Sequence, residues 1–163
     1  MTDCLLAPVP VVHLRDTIAT AAERGKVALG SDAFDLFDRL GRAGAVGALP
    51  VYLVASRTGH DGRTPPPFEV SKVHCRGRLV AITPADRRPR HPDPSIRPAS
   101  ALETDGGWAL FWELAELERI EPPLALAQFT TRTGQRWLRV PEGPWKRNTQ
   151  LNKGETEWDV WQS

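Results

Sequence analysis

Two proline-rich stretches divide this chain of 163 residues before any other pattern is considered. "GHDGRTPPP", 59–67, holds three prolines and "PADRRPRHPDPSIRP", 84–98, holds five, out of 15 in the chain. Proline lacks the backbone donor that a sheet ladder or a helix interior needs, so both stretches are loops and the regular elements lie outside them. The second loop is long for a compact domain, and loops of that length are usually functional or mobile.

Between these loops the apolar pattern changes period. "VPVVHL", 9–14, reads as a short strand, and Asp16 or Thr17 then caps a helix through "TIATAAER" that Gly25 ends. "KVALG", 26–30, reads as a second brief strand. Ser31 caps a second helix in which Ala33, Phe34, Phe37 and Leu40 recur at helical spacing, with Gly41 as its stop. From Pro50 the chain turns β: 51–56, roughly 69–83, then 108–117, with a short strand near 137–140. This predicts a single α+β domain over 1–163, two small helices followed by a strongly curved sheet, with a C-terminal tail near 141–163.

Hydrophobic residues make up 40% and charged residues 25%, the balance of an ordinary globular chain. Apolar runs are far too short to span a bilayer, and "MTDCLLAPVP" lacks a basic segment followed by a long apolar one, so no membrane is expected and the default address is cytoplasmic. The net charge of +1 hides segregation. Residues 76–100 carry six arginines against two acids, 101–121 carry six acids against one arginine, and 130–153 is basic again through Arg132, Arg136, Arg139, Lys146, Arg147 and Lys153. Cys4 and Cys75 read as free, buried thiols. His13, His60, His74 and His91 are scattered without metal-ligand spacing, so neither a metal nor a cofactor is expected. Glu113 and the run from Glu116 to Glu121 read as a solvated edge.

"PVYLVASRTGHDG", 50–62, raises the question of function, because an apolar strand ends in a hydroxyl and a guanidinium. Strand alternation puts Tyr52, Val54 and Ser56 on one face, with Val51, Leu53 and Ala55 on the other. Ser56 and Arg57 are either a strand end emerging into solvent or the rim of a binding pocket. Trp108 and Trp112, four residues apart, share one face of a regular strand and form either core or an aromatic wall of the kind that stacks on a base. Gly30 and Ser31 open a helix N-terminus, which attracts anions such as phosphate. Arg87, Arg88, Arg90 and Arg97 on the stiffened loop, with Arg132, Arg136 and Arg139, are candidates for contacts to phosphates.

"RGKVALGSDAF", "VYLVASRTG" and "WALFWELAELERIEPPLALAQF", in this order and spanning most of residues 9–130, resemble the PUA-like superfamily, particularly its EVE and YTH branches. The resemblance implies a small twisted β-barrel with helices between its first strands and a pocket for a modified or flipped base. YTH members place a tryptophan in the first of these segments, where this chain has Ala28, Leu29, Gly30 and Ser31, so the implied pocket is EVE-like with other lining residues.

The leading expectation is therefore a domain that binds a nucleotide, a modified base in DNA or RNA or a small nucleoside, between an aromatic wall and strand-end polar groups. Two alternatives stand beside it. The ASCH branch of the same superfamily includes small hydrolases acting on modified nucleosides, and such an enzyme needs a lysine such as Lys26 or Lys72 converging with a glutamate. A protein-interaction module would instead use exposed tryptophans against a partner.

Overall fold

The computed structural model describes residues 3–86, 90–102, 107–131 and 160–162. Within them the chain is α+β, with a five-stranded mixed sheet curled into a half-barrel. Strands β1 (Asp3–Pro10), β2 (Lys26–Ser31), β3 (Pro50–Ser56), β4 (Lys72–Pro84) and β5 (Leu110–Ala125) stand in the order β2-β5-β4-β3-β1. Helix α1 (Val11–Arg24) joins β1 to β2, α2 (Phe34–Arg42) follows β2, and α3 (Ala99–Leu102) precedes β5. Two short strands, β6 (Thr130–Thr131) and β7 (Val160–Gln162), extend the sheet beyond β1.

β1 and β3 are parallel neighbours and apolar on both faces, the pattern of strands covered from two sides. Leu5, Ala7 and Val9 of β1, with Val51, Leu53 and Ala55 of β3, enter the main core. Cys4, Leu6 and Val54 point the other way into a second cluster closed by Val73, Leu126 and Phe129. The main core is completed by Val11, Leu14 and Ala21 of α1, by Leu36, Phe37 and Leu40 of α2, and by Leu110, Trp112 and Leu114 of β5. A third, smaller cluster of Ala28, Ile96 and Phe111 lies on the opposite face of β2 and β5.

The curl has local causes. The β4–β5 ladder shifts register between Val73 and Cys75, between Arg76 and Arg78, and between Leu79 and Ala81. Each shift bends the strand and increases its twist. Glu116 sits at φ 54° just past Ala115, the last β5 residue paired with β2. Beyond that point, among the described residues, β5 pairs with β4 alone, and Pro122 and Pro123 fit inside it there.

Several boundaries differ from the sequence expectation. α1 begins at Val11, immediately after β1, and not at Asp16 or Thr17. The β-branched pair Val11–Val12 favours a strand locally, but the burial of Val11 and Leu14 against the sheet outweighs that preference. Gly25 ends this helix as expected, at φ 78°, with its N–H on the Ala21 carbonyl. β5 is longer than 108–117 because its single-partner half tolerates proline. Glu113 is the clearest correction: Glu116, Glu118 and Glu121 are exposed, whereas Glu113 is buried. The strand expected at 137–140 and most of the C-terminal tail lie outside the described residues.

Candidate functional site around Glu113

Glu113 lies midway along the β2–β5 ladder, where its cross-strand partners are Ala28 and Ala81. Two alanines leave room for its side chain to lie across the sheet, and its diagonal neighbours then decide its contacts. Lys26, two residues before Ala28, places Nζ 3.0 Å from Oε1. Thr83, two residues after Ala81, donates from Oγ1 to Oε2 at 3.0 Å. Three strands thus bring an ammonium, a carboxylate and a hydroxyl into one row. The glutamate side chain is 7% exposed and the lysine 45%, so the row is dry at its centre and open at one end. A carboxylate buried this far is held by such partners: removing Lys26 leaves its charge without compensation, and removing the Thr83 hydroxyl leaves Oε2 without that donor.

The proline-rich loop after β4 covers the row. Asp93 accepts from Ser95 through both the backbone N–H and the hydroxyl, which starts a 3-10 turn over Pro94–Ile96 and holds the Asp93 carboxyl below the usual carboxylate range. That turn buries Ile96 and Arg97 against the sheet. Arg97 donates from Nη1 to the Ala28 carbonyl at 2.7 Å, and its guanidinium lies 4.9 Å from the Phe111 ring centre. His91 meets the same ring edge-on, at 5.2 Å and 82°. Its Nδ1 accepts from the Asp93 N–H at 2.9 Å, while Nε2 stands 3.9 Å from Glu113 Oε1. Further along, His13 Nδ1 lies 2.8 Å from Ser100 Oγ, and Asp16 accepts from the Ser100 N–H, which fixes α3 against α1.

The residues singled out from the sequence fall into three places. Ser56 is buried at the end of β3, with Arg57 exposed beside it, near the Lys72 end of β4. Gly30, Ser31 and Trp108 lie by the Pro84 end, where Ser31 pairs with Leu110. The register therefore separates the two halves of the expected base pocket along the sheet. Trp112 belongs to neither half: it is 1% exposed and stacks on Phe37 at 5.7 Å, so it is core and not an aromatic wall. Its neighbour in the pattern, Trp108, is half-buried against the Gly30 backbone, so close that a Cβ on Gly30 would stand 2.5 Å from the indole. Ser31 ends β2 and does not cap α2 as expected: its Oγ accepts from the Ala33 N–H at 3.0 Å, and Ala33 is the N-cap, without a side-chain cap.

The expected phosphate contacts divide similarly. Arg97 faces inward, and its guanidinium is committed to Ala28 and Phe111, so it is an anchor of the loop and not a surface cation. Arg90 is exposed, its backbone N–H on Asp86 Oδ1. Arg87, Arg88, Arg132, Arg136 and Arg139 lie outside the described residues.

Of the Glu113 group, the sequence points only to Lys26 as a candidate for chemistry, as a requirement for an enzyme, while Glu113 reads there as solvated edge and His91 as a scattered histidine. The overlooked signal is the acid inside "LFWEL", where every neighbour is apolar. A strand period of two places Glu113 on the face of Phe111, opposite Trp112 and Leu114. Among the described residues no group of three or more His, Cys, Asp or Glu side chains is arranged to hold a metal ion, and no helix is long and apolar enough to cross a membrane. No protein-family model matches the chain, and no curated protein and no solved structure matches it either.

Proposed function

We propose that this chain is a nucleotide- or nucleoside-binding domain of PUA-like, EVE-type organisation that receives a base at the Glu113 row. One observation carries this reading: a buried carboxylate has an ammonium and a hydroxyl at 3.0 Å and an imidazole at 3.9 Å, beneath an arginine-bearing loop. Bases outside a duplex are read by donors and acceptors that meet their polar edge, and this row offers both kinds side by side. Lys26, at the exposed end of the row, is the cation that meets a phosphate if the ligand carries one.

A second reading rests on the convergence of Lys26 with Glu113, which a hydrolase of the ASCH type requires. In that chemistry the carboxylate takes a proton from a water that attacks a carbonyl, the ammonium stabilises the oxyanion that forms, and collapse of this intermediate breaks the carbonyl–nitrogen bond as the carboxyl returns the proton to the departing amine. Binding and turnover separate the two. The chain is screened by thermal shift against modified and unmodified nucleosides and short oligonucleotides, with chromatography of each mixture to detect products. A ligand at a hundred times its Kd stabilises the fold by about 2.7 kcal/mol. Stabilisation that disappears in Glu113→Gln, without product, supports the binding domain; product that disappears in the same variant supports the hydrolase. A ligand effect that Glu113→Gln leaves untouched, or no effect from any nucleotide-class compound, overturns the assignment.

A further inference from the structure

Resting on that reading, we infer that the Glu113 row selects the imide edge of a base, a ring N–H flanked by two carbonyls as in uracil, and that His91 is a specificity-determining residue for it. The argument begins with an orphan. His91 Nε2 is buried without a hydrogen-bond partner among the described residues, and its side chain is 4% exposed. A buried polar atom left unsatisfied calls for a reason, and a ligand atom not yet present is one of the few available.

Two groups of Asp93 meet Nδ1 of His91: its amide N–H at 2.9 Å, which suits an unprotonated Nδ1, and its carbonyl at 2.8 Å, which suits Nδ1–H. The donor role of His91 rests on the first arrangement, with the ring proton on Nε2, and the tautomer is therefore the first point of test. With the proton on Nε2, an N–H faces Glu113 Oε1 across 3.9 Å, beyond hydrogen-bond reach.

The same oxygen is approached by Lys26 at 3.0 Å. Two donors thus stand near one acceptor, His91 Nε2–H and the Lys26 ammonium about Oε1. Neither partner is exhausted, because a carboxylate has about four acceptor sites and an ammonium three hydrogens. The complement of donor, acceptor, donor is acceptor, donor, acceptor. In an imide the ring N–H meets Glu113 and the two carbonyl oxygens meet His91 and Lys26. Standard bond lengths put an amide nitrogen and oxygen only about 2.2 Å apart, so an imide offers its three groups along one short edge, within the span of a carboxylate oxygen and two nearby donors. Cytosine presents an unprotonated ring nitrogen where uracil has its N–H, and that lone pair would face the carboxylate. Methylation of the same nitrogen removes the donor outright. Access runs along Lys26, the half-exposed member of the row.

Calorimetry with uridine, 3-methyluridine, cytidine and adenosine tests the order of affinity, and an oligouridylate set against uridine tells a base within a polymer from a free nucleoside. We expect uridine to bind at least tenfold more tightly than the other three, and His91→Phe, which keeps a ring against Phe111, to lose that preference. Nucleosides that bind in a Glu113-dependent manner without favouring uridine overturn this inference and leave the broader reading standing. Absence of any Glu113-dependent binding defeats both. Nitrogen-15 NMR of the histidine rings supplies a test independent of any variant's folding: the His91 Nε2–H is expected in the free chain and shifts with uridine, and an Nδ1–H tautomer refutes the donor role.

Discussion

Gly30 shows how a single missing side chain arranges its surroundings. The Trp108 indole fills the space over the β2 backbone, where a Cβ would meet its Cγ and Cδ1 at 2.5 Å. These atoms are at the root of a bulky ring, so the ring or the strand must move to admit a methyl group. Gly30→Ala is expected to lower stability by about 1–3 kcal/mol and to shift the tryptophan emission, read by urea unfolding followed by fluorescence. An unchanged midpoint and spectrum would mean that the indole sits there by default and is not packed. Gly77 faces a milder form of the same crowding, with Leu117 Cδ1 at 3.1 Å and the Ala115 carbonyl at 3.2 Å.

At the scale of elements, α3 has only four residues and relies on its contact with α1. His13 sits at that contact, and burial, then the nearby Arg97 charge, hold its pKa below the ordinary 6.5 despite Asp16. A lowered value means that the unfolded chain takes up this proton more readily than the folded one. Stability from this residue is present above pH 6.5 and is lost as pH falls through the lowered value. Equilibrium unfolding between pH 7 and 5 is expected to show this decline, and His13→Gln to flatten it; parallel curves would remove His13 from the acid response. These contacts explain what the sequence made legible. Elements with a strong local period, such as β3 and α2, could be read directly, since alternation and helical spacing report burial from one side or one stripe. The prolines of 84–98 announce a stiff loop in the sequence but not its inward residues, because the commitment of Arg97 to the Ala28 carbonyl joins positions 69 apart in sequence. The Glu113 row failed for the same reason: Lys26, Thr83 and Glu113 come from three strands, and only register brings them together.

Across the whole molecule, the two thiols sit in different clusters and report on opening of the fold. Burial pushes Cys75 up to about 11 and, with the Asp3 charge, Cys4 up to about 12, from an ordinary 9.0. Both groups hold their protons more tightly when folded, so the stability they contribute is complete below about pH 9 and declines as pH rises through these values. At pH 8 a thiol reagent is expected to label neither cysteine until the chain opens, and rapid labelling of native protein would contradict the burial of both. The strand order adds a consequence for synthesis. β1 and β2 lie at opposite sides of the five-stranded sheet, yet they are made first, separated only by α1. β1 finds its neighbour when β3 emerges, but among the described residues Lys26–Ser31 pair only with Leu110–Ala115, which a ribosome adding about 5–20 residues per second completes several seconds later. Through that interval the nascent chain carries Lys26–Ser31 without the strand that will pair with them, and β2 must wait for β5 before it has a place in the sheet.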